Sequence, residues 1–259
     1  AKLFDELMIR NVQITLDGPA EYHNKYRPLR GGKPTFQTIL HNIKDLLKLT
    51  KEVNVTLRVN VGPDNYNQIP KLLDMFEAFP KNRIKVYFRW IFQGSEVQKE
   101  IHREVMNFRG KDSYEKLAKL YYCAGEKGFK VFLPIVSESV YCNYDTISSI
   151  LIGPKGEIYP CTVDVKEGSE FGRITGEDIE YDKTKFLQWH KHDAFQDGEC
   201  KKCKLLPICM GGCRNSIVNN GIRGCPEEAG SLKSFAKLWY FAKVAERKLG
   251  VIVNESFKV

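Results

Sequence analysis

No stretch of the 259 residues approaches the roughly 18 consecutive apolar residues that a membrane-spanning helix needs. No short apolar segment follows a basic start, so no signal peptide is expected. The sequence holds no internal repeat and no low-complexity tract, which excludes collagen, coiled coil and disorder. It carries a net charge of +8 with 12 Tyr and 15 Phe, yet no basic cluster or stacking motif that would mark a nucleic-acid surface. Such a mild surplus suits the attraction of an acidic peptide better. Cysteine is absent from almost the first half, the earliest being Cys123.

With 42% hydrophobic residues, the chain has enough apolar material for one large domain or two modest ones. The first part alternates strand and helix patterns. Val12 to Leu16 is a short β-rich run closed by the turn signal Asp17-Gly18-Pro19. A polar stretch with His23, Arg27 and Arg30 follows, and Thr35 then caps a helix with Phe36, Ile39, Leu40, Ile43, Leu46 and Leu47 on one face. Val53 to Val61 is the next strand, followed by a helix bearing Ile69, Leu72, Leu73, Phe76 and Phe79. Ile84 to Phe92 is a third strand, too apolar for one full face to be solvated. Residues 93 to 112 read as a long connection, Ser113 caps a helix to about Lys127 that stops at Gly128, and Val131 to Val136 is a last strand. This order implies an α/β fold with a parallel sheet, covered on both faces or curled into a barrel. Beyond about residue 138 the pattern changes. Ser149 to Tyr159 reads as a hairpin around Gly153-Pro154-Lys155-Gly156, and an amphipathic helix runs from Ser231 to Leu249.

The cysteines decide the chemistry. Cys200-x2-Cys203-x5-Cys209-x3-Cys213 is followed by Cys225. At a cysteine frequency of about 3%, three further cysteines at fixed offsets arise by chance with a probability of roughly 3 × 10⁻⁵. Short loops of this kind let thiolates converge on one metal centre, whereas cysteines so close in sequence rarely form good disulfides. A secreted disulfide framework is further disfavoured by the apolar content, since a chain this size can bury its own core. Gly211 and Gly212 allow close backbone approach and point amides at sulfur, and Lys201, Lys202, Lys204 and Arg214 offset thiolate charge. Spacing alone leaves zinc and iron–sulfur clusters open. His190 and His192 lie near no cysteine in sequence and read as a polar loop, and mid-helix Cys123 reads as a small buried hydrophobe.

The full pattern, Cys142, thirteen residues, Gly156, four residues, Cys161, then Cys200 to Cys213 and Cys225, resembles the SPASM domain of radical SAM peptide-modifying enzymes. Val12-Gln13-Ile14-Thr15-Leu16-Asp17-Gly18-Pro19, with Tyr22-His23-Asn24, Arg27 and Thr35-Phe36, resembles the fourth strand and following loop of their barrel. The resemblance implies the C-terminal half of a (β/α)6 partial barrel over residues 1–138, then a SPASM domain over 139–259 containing the hairpin and helices. It implies two auxiliary four-iron four-sulfur clusters, with Cys142, Cys161 and Cys213 on the first and Cys200, Cys203, Cys209 and Cys225 on the second. Three thiolates leave one iron of the first cluster open, for Cys123 or a substrate group. It also implies S-adenosylmethionine (AdoMet) bound through Thr15, Asp17, Arg27 and Asn60, with Arg89 a weaker candidate. Thr15 and Arg27 would hold the methionyl carboxylate.

The family's Cys-x3-Cys-x2-Cys triplet, which holds a third cluster that binds AdoMet, does not occur in this sequence. The expected account is that the first three βα units lie outside this chain; the alternative is a member that has lost the chemistry. The intact enzyme would cleave AdoMet to a 5′-deoxyadenosyl radical and abstract a substrate hydrogen, and the chain alone would be inactive. Implied partners are the N-terminal part of the same enzyme, a peptide or protein substrate and an electron donor such as flavodoxin or ferredoxin, in an anaerobic cytoplasm. Thioether crosslinking of ribosomal peptides, anaerobic sulfatase maturation and cofactor-precursor modification stand as rivals within the class. A zinc-stabilised binding module without catalysis is the rival outside it.

Overall fold

A computed structural model describes residues 1–91, 104, 108, 112–131, 142–147, 149–221 and 223–249. The chain forms two compact units, Ala1–Pro134 with Gly230–Val259, and Ile135–Ala229.

The first unit is built on a parallel sheet of β1 (Asn11–Thr15), β2 (Asn54–Val61), β3 (Ile84–Trp90) and β4 (Lys130–Val131), ordered as in the sequence. Alternation sets the two faces of each strand. Val55, Leu57, Val59 and Val61 are fully buried, as are Ile84 and Val86, and helices Phe36–Leu49, Ile69–Asp74 and Ser113–Glu126 add Ile43, Leu72 and Ala124 to the same core. The intervening residues Thr56, Arg58, Asn60, Lys85, Tyr87 and Lys130 are half-buried, and Arg89 is exposed. The expectation for the third strand is therefore corrected: one of its faces is polar. Tyr87 hides the alternation because an aromatic ring reads as apolar, although its hydroxyl suits a wetter surface.

Other local expectations are refined. The polar stretch after Pro19 contains a helix, Ala20–Tyr26, whose His23 is fully buried. Thr35 occupies the cap position of its helix, but its hydroxyl donates to the Arg27 carbonyl (2.6 Å). The free amides of Thr35 and Phe36 are instead taken by Asn24 Oδ1 (3.0 and 2.9 Å). Asp112, not Ser113, holds the cap position of Ser113–Glu126, and Gly128 follows with φ +85°. Residues 93–103, 132–136 and the 138 boundary lie outside the described residues.

The C-terminal helix Leu232–Leu249, expected in the second half, belongs to the first unit. Phe235 packs on Tyr114 and Phe241 on Tyr122, and Ser231 and Ser234 donate to Glu115 (3.1 Å each). Its amphipathic face finds cover on Ser113–Glu126, a match that sequence order does not reveal.

The second unit carries an antiparallel sheet. β5 (Leu151–Ile152) and β6 (Glu157–Tyr159) form the expected hairpin, and β7 (Gly172–Thr175) and β8 (Asp178–Tyr181) extend it. Helix Lys183–His190 follows, with Asp182 Oδ1 accepting from the amides of Thr184 and Lys185 (3.0 Å each). The cysteine segment contains short helices, Leu206–Cys209 and Arg214–Asn220. No helix among the described residues is long and apolar enough to cross a membrane.

Candidate functional sites: a carboxylate hub and two sets of sulfurs

Parallel sheets present ligands at the C-terminal edge of their strands, where the loops diverge. Here that edge is organised by Asp17, just past β1, whose side chain is 7% exposed. Its Oδ1 accepts from both the backbone and side-chain amides of Asn60 (2.9 Å each), and its Oδ2 from Arg27 Nε (2.5 Å). Its amide donates to His23 Nδ1 (3.3 Å), and its carbonyl accepts from Asn65 Nδ2. Asn65 also donates to the Asn60 carbonyl (2.8 Å) and accepts from the Gly62 amide (2.7 Å), so the loops after β1 and β2 are tied together. Burial pushes the His23 imidazole below its ordinary value, partly countered by Asp17.

Asp17, Arg27 and Asn60 thus meet, but both Asp17 oxygens and the Asn60 amide are spent within the cluster. Only the far end of Arg27, a side chain 46% exposed, extends beyond it. Thr15 ends β1 opposite Arg58, on the same sheet face as Asn60. Arg89 pairs with Asn60 in register. Sequence reasoning missed Asn65 and the roles of His23 and Asn24; Gly62-Pro63-Asp64 signals a turn there, but nothing local shows its Asn reaching Asp17.

All eight cysteines are free thiols. Cys123 packs against the core of the first unit, and burial raises its thiol. The other seven lie in the second unit. Burial raises Cys142 and Cys161, and Cys213 acts on both as a neighbour that raises them further. Burial likewise raises Cys200, with Cys225 adding to it, and Cys209, with Cys225 and Cys203 adding to it. The electrostatic neighbourhoods therefore fall into two sets, Cys142, Cys161, Cys213 and Cys200, Cys203, Cys209, Cys225.

Backbone amides oppose the effect of burial: that of Tyr144 at Cys142, of Val163 and Asp164 at Cys161, and of Gly211 and Gly212 at Cys209. Amides converging on sulfur favour the thiolate. Gly211 and Gly212 have φ +99° and +79°, and a side chain on Gly212 would collide with the Gly224 carbonyl. Cys213 N donates to that carbonyl (3.0 Å), so the two sets meet through backbone.

Polar side chains fix the turns. Arg214 Nε binds Asp145 Oδ1 (3.1 Å) and its Nη1 donates to the His192 carbonyl (2.7 Å). Asn219 Nδ2 donates to Asp164 Oδ2 (2.7 Å). Asp197 Oδ1 accepts from the Glu199 and Cys200 amides (2.9 Å each), and both its oxygens bind Arg223 Nε (3.1 Å). These partners hold the Asp197 carboxyl well below the usual range. Arg214 is therefore paired with Asp145, and it also acts on Cys142 as a cation that favours the thiolate. The histidine reading is corrected too: His190 ends a helix, and His192 Nε2, buried without a hydrogen-bond partner, lies against Gly211 between Cys209 and Cys213.

The donor set fits soft metal centres in kind, with seven unbridged cysteines, amides at sulfur and glycines where backbone closes in. Among the described residues no three Cys, His, Asp or Glu yet converge on one metal-sized point.

No protein-family model matches the chain. It is 26% identical over 260 residues to a cysteine-type anaerobic sulfatase-maturating enzyme of Clostridium novyi (strain NT), covering 90% of this chain and 67% of that protein. This similarity supports the resemblance to the radical SAM maturases of the SPASM class. Solved structures agree in fold. Polyhistidine-tagged anSMEcpe with bound AdoMet has a TM-score of 0.58 at 18% identity, covering 95% of this chain and 67% of that one. Native anSMEcpe with AdoMet and Kp18Cys peptide has a TM-score of 0.55 at 19% identity, covering 90% and 69%.

Proposed function

We propose that this chain is the C-terminal part of a radical SAM enzyme that modifies a side chain of a peptide or protein. The observation that carries this reading is the pair of unbridged sulfur sets, each reached by backbone amides, in a fold shared with AdoMet-bound maturases. Cys142, Cys161 and Cys213 would hold one auxiliary cluster and Cys200, Cys203, Cys209 and Cys225 another. Such clusters, when bound, would supply an acceptor for the electron left after hydrogen abstraction, and the three-cysteine set would leave room for a substrate thiolate.

The parallel sheet fits the second half of a partial barrel, its polar face of Thr15, Thr56, Arg58, Asn60, Tyr87 and Arg89 facing the lumen. There Arg27 and Thr15 would hold the AdoMet carboxylate. Asp17 would fix the Arg27 guanidinium and Asn60 would fix Asp17, which makes both supports and not contacts. The curated relative is named for cysteine-type maturation and a solved neighbour holds a Kp18Cys peptide, so a cysteine-bearing peptide is the first substrate class to test.

Anaerobically purified protein should absorb broadly near 400 nm and carry about eight irons per chain. A colourless protein with about two zinc ions overturns the reading in favour of a binding module. Because no Cys-x3-Cys-x2-Cys occurs in the 259 residues, the polypeptide alone should form no 5′-deoxyadenosine from AdoMet under reducing conditions.

A further inference from the structure

Three cysteine turns of the second unit carry an aspartate three residues from a cysteine: Asp145 after Cys142, Asp164 after Cys161 and Asp197 before Cys200. The first two are coupled rigidly to their cysteines, since Asp145 N donates to the Cys142 carbonyl (2.9 Å) and Asp164 N to that of Cys161 (3.3 Å). Both carboxylates are then taken by one helix, Arg214–Asn220, which begins directly after Cys213. Arg214 binds Asp145 and Asn219 binds Asp164. The side chains of Asp145 and Arg214 are only 5% and 13% exposed, so this contact is dry and fixed. Asp197 works elsewhere: it fixes the Cys200 amide and holds Arg223, two residues before Cys225.

We propose that two separate polar clamps assemble the two sulfur sets. Arg214 and Asn219 are positioning residues for Cys142, Cys161 and Cys213, and Asp197 with Arg223 positions Cys200 and Cys225. Neither clamp contributes a metal ligand. Each sets the distance between turns that carry ligands, so each governs loading of its own set. The idea rests on the metal-binding reading above, but it divides the metal in a way that reading does not require. The backbone bond from Cys213 to Gly224 joins the sets and is untouched by side-chain variants.

The test uses the full chain, reconstituted anaerobically with iron and sulfide, with iron and sulfide counted per chain alongside the visible and far-UV spectra. Removing Arg214 alone would strand a buried carboxylate, so Arg214→Met is combined with Asp145→Leu. That double variant should keep its far-UV spectrum and bind about half the iron, a twofold loss. Asn219→Leu should fall toward the same half. Asp164→Asn, whose amide oxygen still accepts from Asn219, should keep the full amount. Arg223→Met should lose the other half, and combining it with the double variant should abolish loading. Full iron with an unchanged spectrum in Arg214→Met/Asp145→Leu overturns the proposal. So does complete loss of iron in either clamp variant, or a loss in Asp164→Asn equal to that of Asn219→Leu. If the unsubstituted chain takes zinc and no iron, the proposed function fails, while zinc per chain in the same variants still decides on the clamps.

Discussion

The two units are stabilised by different means. The first is a dry core: Leu57, Val59, Ile69, Leu72, Phe76 and Ile84 are fully buried and packed as one connected cluster. The second contributes nothing to that cluster among the described residues. Its buried apolar residues are few, such as Ile158, Phe171 and Trp189, and β8 is exposed along its whole length. What orders it is a set of turns, carboxylate clamps and positive-φ glycines around sulfur. A fold of that kind resembles small metal-dependent domains, in which binding and folding are one event.

The largest expected effect follows from this difference. Metal removal should leave amide protection in β1–β3 intact and abolish it across residues 151–221, read by hydrogen exchange with and without chelator. Structural zinc in small domains supplies about 10–16 kcal/mol, which exceeds what so small a core contributes. Persistent protection of the second unit without metal would show that its own contacts suffice. The reciprocal change is Leu57→Ala in the first unit. It empties a fully buried site at the centre of β2 and should cost about 3 kcal/mol by denaturant melting, with metal content per chain unchanged. A shared loss of metal would mean that the units do not behave separately.

How much of this was readable beforehand follows the same line. Period-2 and period-3.6 patterns place β1, β2, β3 and helix Phe36–Leu49 within a residue or two, because burial there is strong and regular. β7 and β8 escaped because neither buries a face, although Thr175-Gly176-Glu177-Asp178 holds a two-residue loop with Gly176 at φ +64°. Cysteine spacing displays the proposed ligands but not their supports. The Cys-x2-Asp repeat at Asp145 and Asp164 is visible in the sequence, yet its meaning depends on Arg214 and Asn219, 69 and 55 residues away. The motif singles out Asp17 as a candidate. That it serves as a hub closed on Asn60 and Arg27 is not legible there, since hydrogen-bond saturation is a property of three dimensions.

A smaller effect tests that hub. Asp17→Ala leaves the backbone and side-chain amides of half-buried Asn60, and the Arg27 guanidinium, without their carboxylate acceptor, at about 2 kcal/mol in the first unit's stability. Asp17→Asn should recover part of that, because its oxygen still accepts from Asn60. If Asp17→Ala melts like the unsubstituted protein, the hub does not organise the sheet edge.

The smallest effect is a pH dependence confined to the first unit. His23 is fully buried, its Nδ1 accepts from the Asp17 amide, and burial holds its pKa below the ordinary 6.5. As pH falls below about 6.5, the unfolded chain takes up a proton that the folded His23 refuses. The unfolded state then binds more protons, so stability is present above the unfolded pKa and is lost as pH drops toward the folded one. Asp17 and Arg27, the charged groups facing the ring, act in opposite directions, so their effects partly offset each other and burial sets the sign. Protonation would also turn Nδ1 from acceptor to donor, against the amide that now donates to it. The slope is bounded by about 1.4 kcal/mol per pH unit for one proton. His23→Gln, whose side-chain oxygen is able to accept from the Asp17 amide, should flatten this part of the curve. It should leave the second unit's metal content unchanged between pH 7 and 6. An unchanged slope in that variant would place the acid sensitivity elsewhere and leave the hub as a hydrogen-bonding device alone.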